Sequence, residues 1–385
     1  MTVTKIYDVA VVGAGVFGAW TALHLARRGK RVLLLDAYGP GHSRSSSGDE
    51  SRIIRMGYGA DEVYTQWSQR SLIQWKKLFA TTRKEALFQK TGVLWLAESG
   101  NARLQATREV LRRNEVEFED LDREAIGFRY PQINSDSIAN GIYEPKSGVL
   151  MARRAVAVTV AEAQRLGVEF KLAAIAEPRG RGSIGSITSS VGEKFAAKEF
   201  VFACGAWLAK LFPEVLGDRI FPTRQTVFYF GIPGGDDRFS PAALPTWLIN
   251  NDECYGIPDL ESRGPKVALD RHGERVDPDT QSRMVTTNEV EEIRRLVAYR
   301  FPALRHAPIV ETRVCQYENT WNGDFLVDRH PTFDNVWFAG GGSGHGFKHG
   351  PAVGEYVTGQ ILDDAEPEPR FLLESKESVQ RRAVY

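Results

Sequence analysis

The sequence predicts an α/β protein: a Rossmann-like domain for a dinucleotide, interleaved with a mixed-sheet α+β domain, both discontinuous along the chain. Three observations predict this. A glycine-rich strand–turn–helix–strand unit stands near the start. Further strand–Gly–helix units recur in the middle and near the end. Between them lie strand-rich stretches with the look of an antiparallel sheet.

The first unit is "YDVAVVGAGVFGAWTALHLARRGKRVLLLD", residues 7–36. Residues 7–12 are a short apolar strand. Gly13, Gly15 and Gly18 form GxGxxG. Ala22, Leu23, Leu25 and Ala26 follow a helical period, Gly29 ends the helix, and "RVLLLD" is a second buried strand. Gly13 permits the tight turn, Gly15 lets backbone approach a pyrophosphate, and Gly18 lets the helix pack close on the strand. The helix N-terminus offers unpaired N–H groups to phosphates. Asp36 ends the second strand, where a carboxylate accepts ribose hydroxyls and repels a 2′-phosphate. A Gly-rich turn in a generic α/β unit would not need that terminal acid. The fingerprint alone does not separate NAD from FAD.

The remaining elements follow in order. Residues 60–80 read as an amphipathic helix, 91–99 as a strand and 102–114 as a charged helix. "RYPQI" and "GIYEPKSGVLM" (141–151) read as turn-rich strands. Residues 152–170 are a helix ending at Gly167, then a strand. "KEFVFACGAWLAKLF" (198–212) is strand, Gly turn, helix. Strand periods fill 220–270, in "FPTRQTVFYFGI", "PTWLINN", "CYGIPD" and "GPKVALD". "TTNEVEEIRRLVAYRF" (286–301) is a capped helix, and 335–362 returns to strand, Gly loop, helix. The βα units assign 1–60, 150–215 and 315–385 to the nucleotide domain. Residues 61–149 and 216–314 form the substrate domain.

Composition excludes some classes. Lys+Arg and Asp+Glu both total 49, so the net charge is zero, against a nucleic-acid binder. No apolar run reaches the roughly 18 residues of a spanning helix. Three cysteines without CxxC make neither a disulfide framework nor a zinc site. His345 and His349 stand at i, i+4 but lack HExxH or a third ligand, so no metal is expected. The expectation is a cytoplasmic protein without nucleic-acid or membrane partners. Cys315 is open to four readings on the residues alone: small core hydrophobe, half of a disulfide, metal ligand or covalent handle.

The fingerprint, "SRIIRMGYG" (51–59), "FACGAW" (202–207), "YGIPD…GPKVALD" (255–270), "RVCQYENT" (313–320) and "GGGSGHGFKHG" (340–350) occur together in one order and spacing. The chain resembles the monomeric sarcosine oxidase, N-methyltryptophan oxidase and pipecolate oxidase family, within the D-amino-acid-oxidase-like flavoproteins. The resemblance implies FAD as cofactor and a monomer. It sets Val16 and Phe17 beside the three glycines, and Ala37, His42, Ser46, Ser51 and Arg52 after Asp36. It adds Ala203, Gly205 and Trp207 in the middle motif, and Gly342, Gly344, His345, Gly346 and Lys348 in the last. It implies a thioether from Cys315 to the 8α-methyl of the flavin.

The last motif follows a strand and opens a helix, so its N–H groups are expected to face the charge of a reduced flavin. Gly344 and Gly346 would let backbone touch the ring. By resemblance, Arg55 and Lys348 hold the substrate carboxylate, for which the planar fork of Arg is suited. The resemblance also implies that Arg52 sits beside the flavin and that Lys266 activates O2. Tyr255 is a candidate for shaping the pocket, with a buried structural tyrosine as the equal alternative. The chain departs from the sarcosine oxidases at Asp270, where they have histidine, and at Ser45, Ser46 and Ser47, before the arginines, where they have paired histidines. An acid at 270 suits a second amino group or sugar hydroxyls.

The implied activity is FAD-dependent oxidation of a secondary-amine amino acid, with O2 as acceptor and an imine and H2O2 as products. The alternatives are a fructosyl-amino-acid oxidase, a flavin dehydrogenase that does not use O2, and a non-catalytic flavin-binding subunit.

Overall fold

The computed structural model describes residues 5–377; the end of the predicted third nucleotide segment, 378–385, lies outside them. Three sheets organise the chain. The first runs Leu326–Arg329, Val336–Gly340, Lys194–Phe202, Ile6–Val12, Val32–Asp36 and Glu169–Leu172, with Ser186–Thr188 on the edge of Lys194–Phe202. Its four central pairings are parallel, and the Leu326 and Ser186 strands pair antiparallel. The interior strands are near-continuous apolar runs because both faces are covered. Helices Val16–Arg27, Ala152–Arg165 and Gly350–Ile361 pack together on one of these faces.

The second sheet has eight strands, in the order Ile309–Thr320, Ile220–Phe230, Lys266–Leu269, Cys254–Ile257, Thr246–Ile249, Val93–Ala97, Asn140–Glu144 and Glu119–Asp122. All pairings are antiparallel except Thr246–Ile249 with Val93–Ala97. The fold is therefore the mixed α/β arrangement expected. A small third sheet joins Arg52–Ile54, Gly148–Leu150 and Phe88–Gln89.

Several local expectations hold. The long helix is Glu62–Thr82, and Thr287–Arg300 starts at a capping box between Thr286 and Glu289. Others do not. "RYPQI" is no strand: helix Arg123–Arg129 runs into it and Tyr130 begins a turn. Pro131 removes a ladder donor, which disfavours a strand there. The strand bearing Cys315 pairs along Ile309–Thr320 with Ile220–Phe230, so the predicted domain switch at 315 falls inside a strand of the second sheet. The chain re-enters the nucleotide sheet at Leu326. The C-terminal glycine loop reaches its helix through a short turn, Phe347–His349, and the helix proper begins at Gly350.

Candidate active site

Two cavities meet where the sheets face each other. The larger, about 410 Å³, starts at the turn after the first strand. That volume lies in the usual range for cofactor sites. Gly13 stands at φ +105°, and a Cβ there would come 2.2 Å from Ala203 O. Only glycine fits. Gly15, Val16 and Phe17 continue the wall. Gly18 does not touch the cavity; its Cβ would sit 1.8 Å from Gly13 O, so it lets helix and turn close together. Asp36 lines the far end. Its oxygens accept N–H from Ala14 at 2.7 Å and from Tyr38 and Gly39 at 2.8 Å, which fixes the carboxylate in place.

Ala37, His42, Ser46, Arg52, Ala203, Gly205 and Trp207 all line this cavity, as do Gly342, Gly344 and Gly346. Ser51, His345 and Lys348, expected at the cofactor, instead line the smaller cavity, of about 50 Å³. The loop amides also differ from expectation. Ser343 N–H donates to Glu318 O at 2.8 Å, and His345 and Gly346 donate to Gly342 O at 2.9 and 2.8 Å. The first ties the loop to the strand of Glu318, the other two close the loop on itself, and none of the three is a free donor for a ring. Gly344, at φ +77°, would put a Cβ 2.7 Å from the Tyr317 ring, so glycine brings the loop against that ring.

Arg52, Tyr317, Gly344 and Phe347 line both cavities and form the seam between them. Beyond it, Arg55, Lys348, Asp270 and Tyr255 surround the smaller cavity. Arg55 is buried, with its guanidinium 4.3 Å from the Tyr58 ring and 4.7 Å from the Trp95 ring. Glu144 holds this clamp: it accepts from Trp95 Nε1 at 2.7 Å, Met56 N at 2.7 Å and Gly57 N at 3.0 Å. Lys348 Nζ donates to Tyr58 Oη at 2.7 Å and His345 O at 3.0 Å. Burial, with Arg55 adding to it, pushes the Lys348 ammonium well below its ordinary range. Burial raises Asp270 to about 6, against the pull of Arg55, Arg103 and Lys348. Burial also raises Tyr255 and Tyr317, so both phenols stay neutral.

Lys266 and Cys315 line neither cavity. Both lie behind Arg52. Lys266 Nζ donates to the Asp49 carboxylate and, at 3.1 Å, to Ser51 O. Arg52 donates to the same Asp49 oxygen and lies 3.4 Å from Cys315 Sγ. Burial alone would raise Asp49; Lys266 and Arg52 outweigh it and keep the group an anion. Burial pushes Lys266 down, partly offset by Asp49.

Tyr58 Oη contacts His349 Nε2 at 2.8 Å and His345 Nδ1 at 3.4 Å. No group of three metal-type ligands occurs among the described residues. No helix there is long and apolar enough to cross a membrane.

Sequence reasoning missed Asp49, Tyr58, Glu144, Tyr317 and Glu318. Asp49 and Tyr58 flank the arginine motif, and Tyr317 stands two residues from Cys315 on one strand, so adjacency was a usable signal. Nothing in the sequence ties Glu144 to Arg55.

The glycine cradle, the fixed acid and the long cavity fit a flavin dinucleotide. The model of the FAD-dependent oxidoreductase (DAO) family matches residues 8–360. The chain belongs to this family. It is 30% identical over 366 residues to monomeric sarcosine oxidase of Arthrobacter sp. (strain TE1826), covering 93% of each chain. It is 30% identical over 361 residues to peroxisomal sarcosine oxidase of Homo sapiens, covering 91% of each. Its fold matches fructosamine oxidase (Amadoriase II) of Aspergillus fumigatus at TM-score 0.83 and 22% identity, covering 99% of this chain and 92% of that one. It is an FAD-dependent oxidoreductase.

Proposed function

We propose that this protein oxidises the CH–NH bond of an amino acid whose amine is N-substituted or cyclic, with O2 as acceptor and an imine and H2O2 as products. The observation that carries this reading is the seam: a buried Arg–Lys pair lies one residue layer from the cofactor cavity. FAD bound there supplies a two-electron acceptor that O2 restores.

The chain's own residues do the rest. The Arg55 fork, held flat between Tyr58 and Trp95, receives the substrate carboxylate. Lys348 completes the clamp, and a bound carboxylate restores the proton affinity that burial and Arg55 lower. Tyr255 and Tyr317 close the pocket as neutral walls. Clamped on one side, the substrate has its amine and adjoining C–H oriented toward the seam. Asp270 faces the same pocket. It favours a substrate with a further donor, such as a second amino group or a sugar hydroxyl.

Lys266 is the cation for O2. At ~4 Å and an effective dielectric of ~20, a fixed ammonium stabilises superoxide by up to roughly 4 kcal/mol, or about a thousandfold in rate. Asp49 keeps it in place beside Arg52. Cys315 is the proposed attachment point of the flavin, through a thioether to the 8α-methyl. Its thiol is free of disulfides and adjoins Arg52, which lines the cofactor cavity. Three free cysteines suit a reducing cytoplasm, and the protein is proposed to act as a monomer.

A peroxide-coupled screen over sarcosine, pipecolate, proline, N-methyltryptophan and fructosyl-glycine tests the reaction. At least one substrate gives peroxide; silence from all five sinks the reading. Acid precipitation tests the linkage: a yellow pellet is expected, and a white pellet under a yellow supernatant removes the tether.

A further inference from the structure

Three acids line the larger cavity: Asp36, Asp279 and Glu318. Two are committed. Asp36 is held by three backbone amides. Asp279 accepts from Trp207 Nε1 and from Lys210 Nζ. Glu318 differs. It is 6% exposed, and its Oε1 has no hydrogen-bond partner. No ion pair reaches it among the described residues.

The backbone is shaped round this side chain. Gly340 would place a Cβ 2.5 Å from Glu318 Oε1, so the glycine gives the carboxyl its room. The strand partner of Glu318 is Pro222, which has no N–H to offer. Burial raises the Glu318 carboxyl to about 7, with the N–H groups of Gly341 and Gly342 pulling the other way. A buried carboxyl oxygen left unpaired costs free energy. This one therefore calls for a partner from inside the cavity.

We propose that Glu318 is a cofactor ligand, and that its carboxyl hydrogen-bonds a hydroxyl of the polyol chain linking the flavin ring to the diphosphate. The chemistry of the cavity selects that group. The ribose end meets Asp36, and the diphosphate is anionic and belongs to the glycine turn. The ring oxygen end gains negative charge on reduction. The ionised carboxylate is repelled by both charged parts. The polyol offers O–H donors to a carboxylate and oxygen acceptors to a carboxylic acid, so a bond to it survives either protonation state. Glu318 lies between the two charged ends: it is next to seam residue Tyr317, and it influences Cys204, beside the Gly13–Ala203 contact. The inference rests on FAD as cofactor and does not depend on the substrate.

The test uses full-length flavin-free protein from riboflavin-starved cells, reconstituted with FAD and followed by flavin fluorescence; every protein compared, the otherwise wild-type reference included, carries Cys315→Ser, so that no thioether forms and binding stays reversible. The probes are FAD and FAD analogues lacking one ribityl hydroxyl at a time. Wild type is expected to bind one analogue about tenfold or more weakly than FAD. Glu318→Leu binds FAD weaker by a similar factor and no longer distinguishes that analogue, while Glu318→Gln keeps most of the affinity. Equal binding of every analogue by wild type overturns the proposal, even if the leucine variant does not fold. So does a leucine variant that still discriminates. A wild-type protein that binds no flavin defeats the cofactor reading itself, a different result.

Discussion

The two cavities are built in different ways. The larger begins on a backbone turn. Its first wall comes from one contiguous stretch, and its tightest points are glycines whose missing Cβ atoms leave the space. The smaller is lined mostly by long side chains drawn from five separate stretches: Ser51–Arg55, Leu248–Ile257, Asp270, Tyr317 and Gly344–Lys348. A backbone cradle recognises what all flavin dinucleotides share. Arg55, Tyr255, Asp270 and Lys348 line only the smaller cavity and can be altered without touching the cradle, whereas the four seam residues belong to both.

Substitutions test that contrast. The largest effect is expected in the cradle. Gly13→Val combines a clash with Ala203 O and an unfavourable positive φ, so the purified protein lacks its 450-nm band and all activity. A yellow Gly13→Val protein would show that the cradle is not needed. Next comes Lys266→Met. Stopped-flow mixing of the reduced variant with O2 is expected to show reoxidation slowed by up to about a thousandfold, with anaerobic reduction by substrate nearly unchanged. Equal loss in both halves would make Lys266 a structural residue. Arg55→Met should lower kcat/KM by about 10²–10³-fold while flavin content stays at the wild-type level. Loss of flavin there would erase the separation between the cavities.

The smallest effect is on stability. Asp270 titrates near 6 in the folded protein, above its ordinary 3.8, so the folded state holds an extra proton between those values. Stability from this group therefore falls as pH rises through that window. Asp270→Asn removes the loss, so its Tm at pH ~8 should exceed wild type by about 1–3 °C, with the gap closing below pH ~4. A gap that is the same at both pH values would assign the effect to packing.

Legibility in the sequence followed the same division. The first glycine turn, Asp36 and the βα units were visible because each depends on neighbours within about thirty residues, where periodicity and capping speak directly. The placement of Cys315 was less visible. Its strand has the same local pattern whichever sheet it joins, and pairing with Ile220–Phe230 decides the matter. The C-terminal loop shows a further limit. Its glycines mark a close approach, yet the spacing did not reveal that three of its amides bond within the loop and its strand. Glu144 was invisible, because its role depends on Trp95 and the 56–57 backbone lying beside it.

The nucleotide half of this protein follows from local sequence: a strand, a turn that only glycine can make, a helix and an acid, each dictated by short-range sterics and hydrogen bonding. Which charges meet was settled by long-range packing. Arg52, Asp49 and Lys266 become one buried chain, and Arg55 and Lys348 come to line one pocket, because two sheets bring distant segments together. Electrostatic coupling depends on distance through space and on burial. Neither is written in the spacing of residues along the chain.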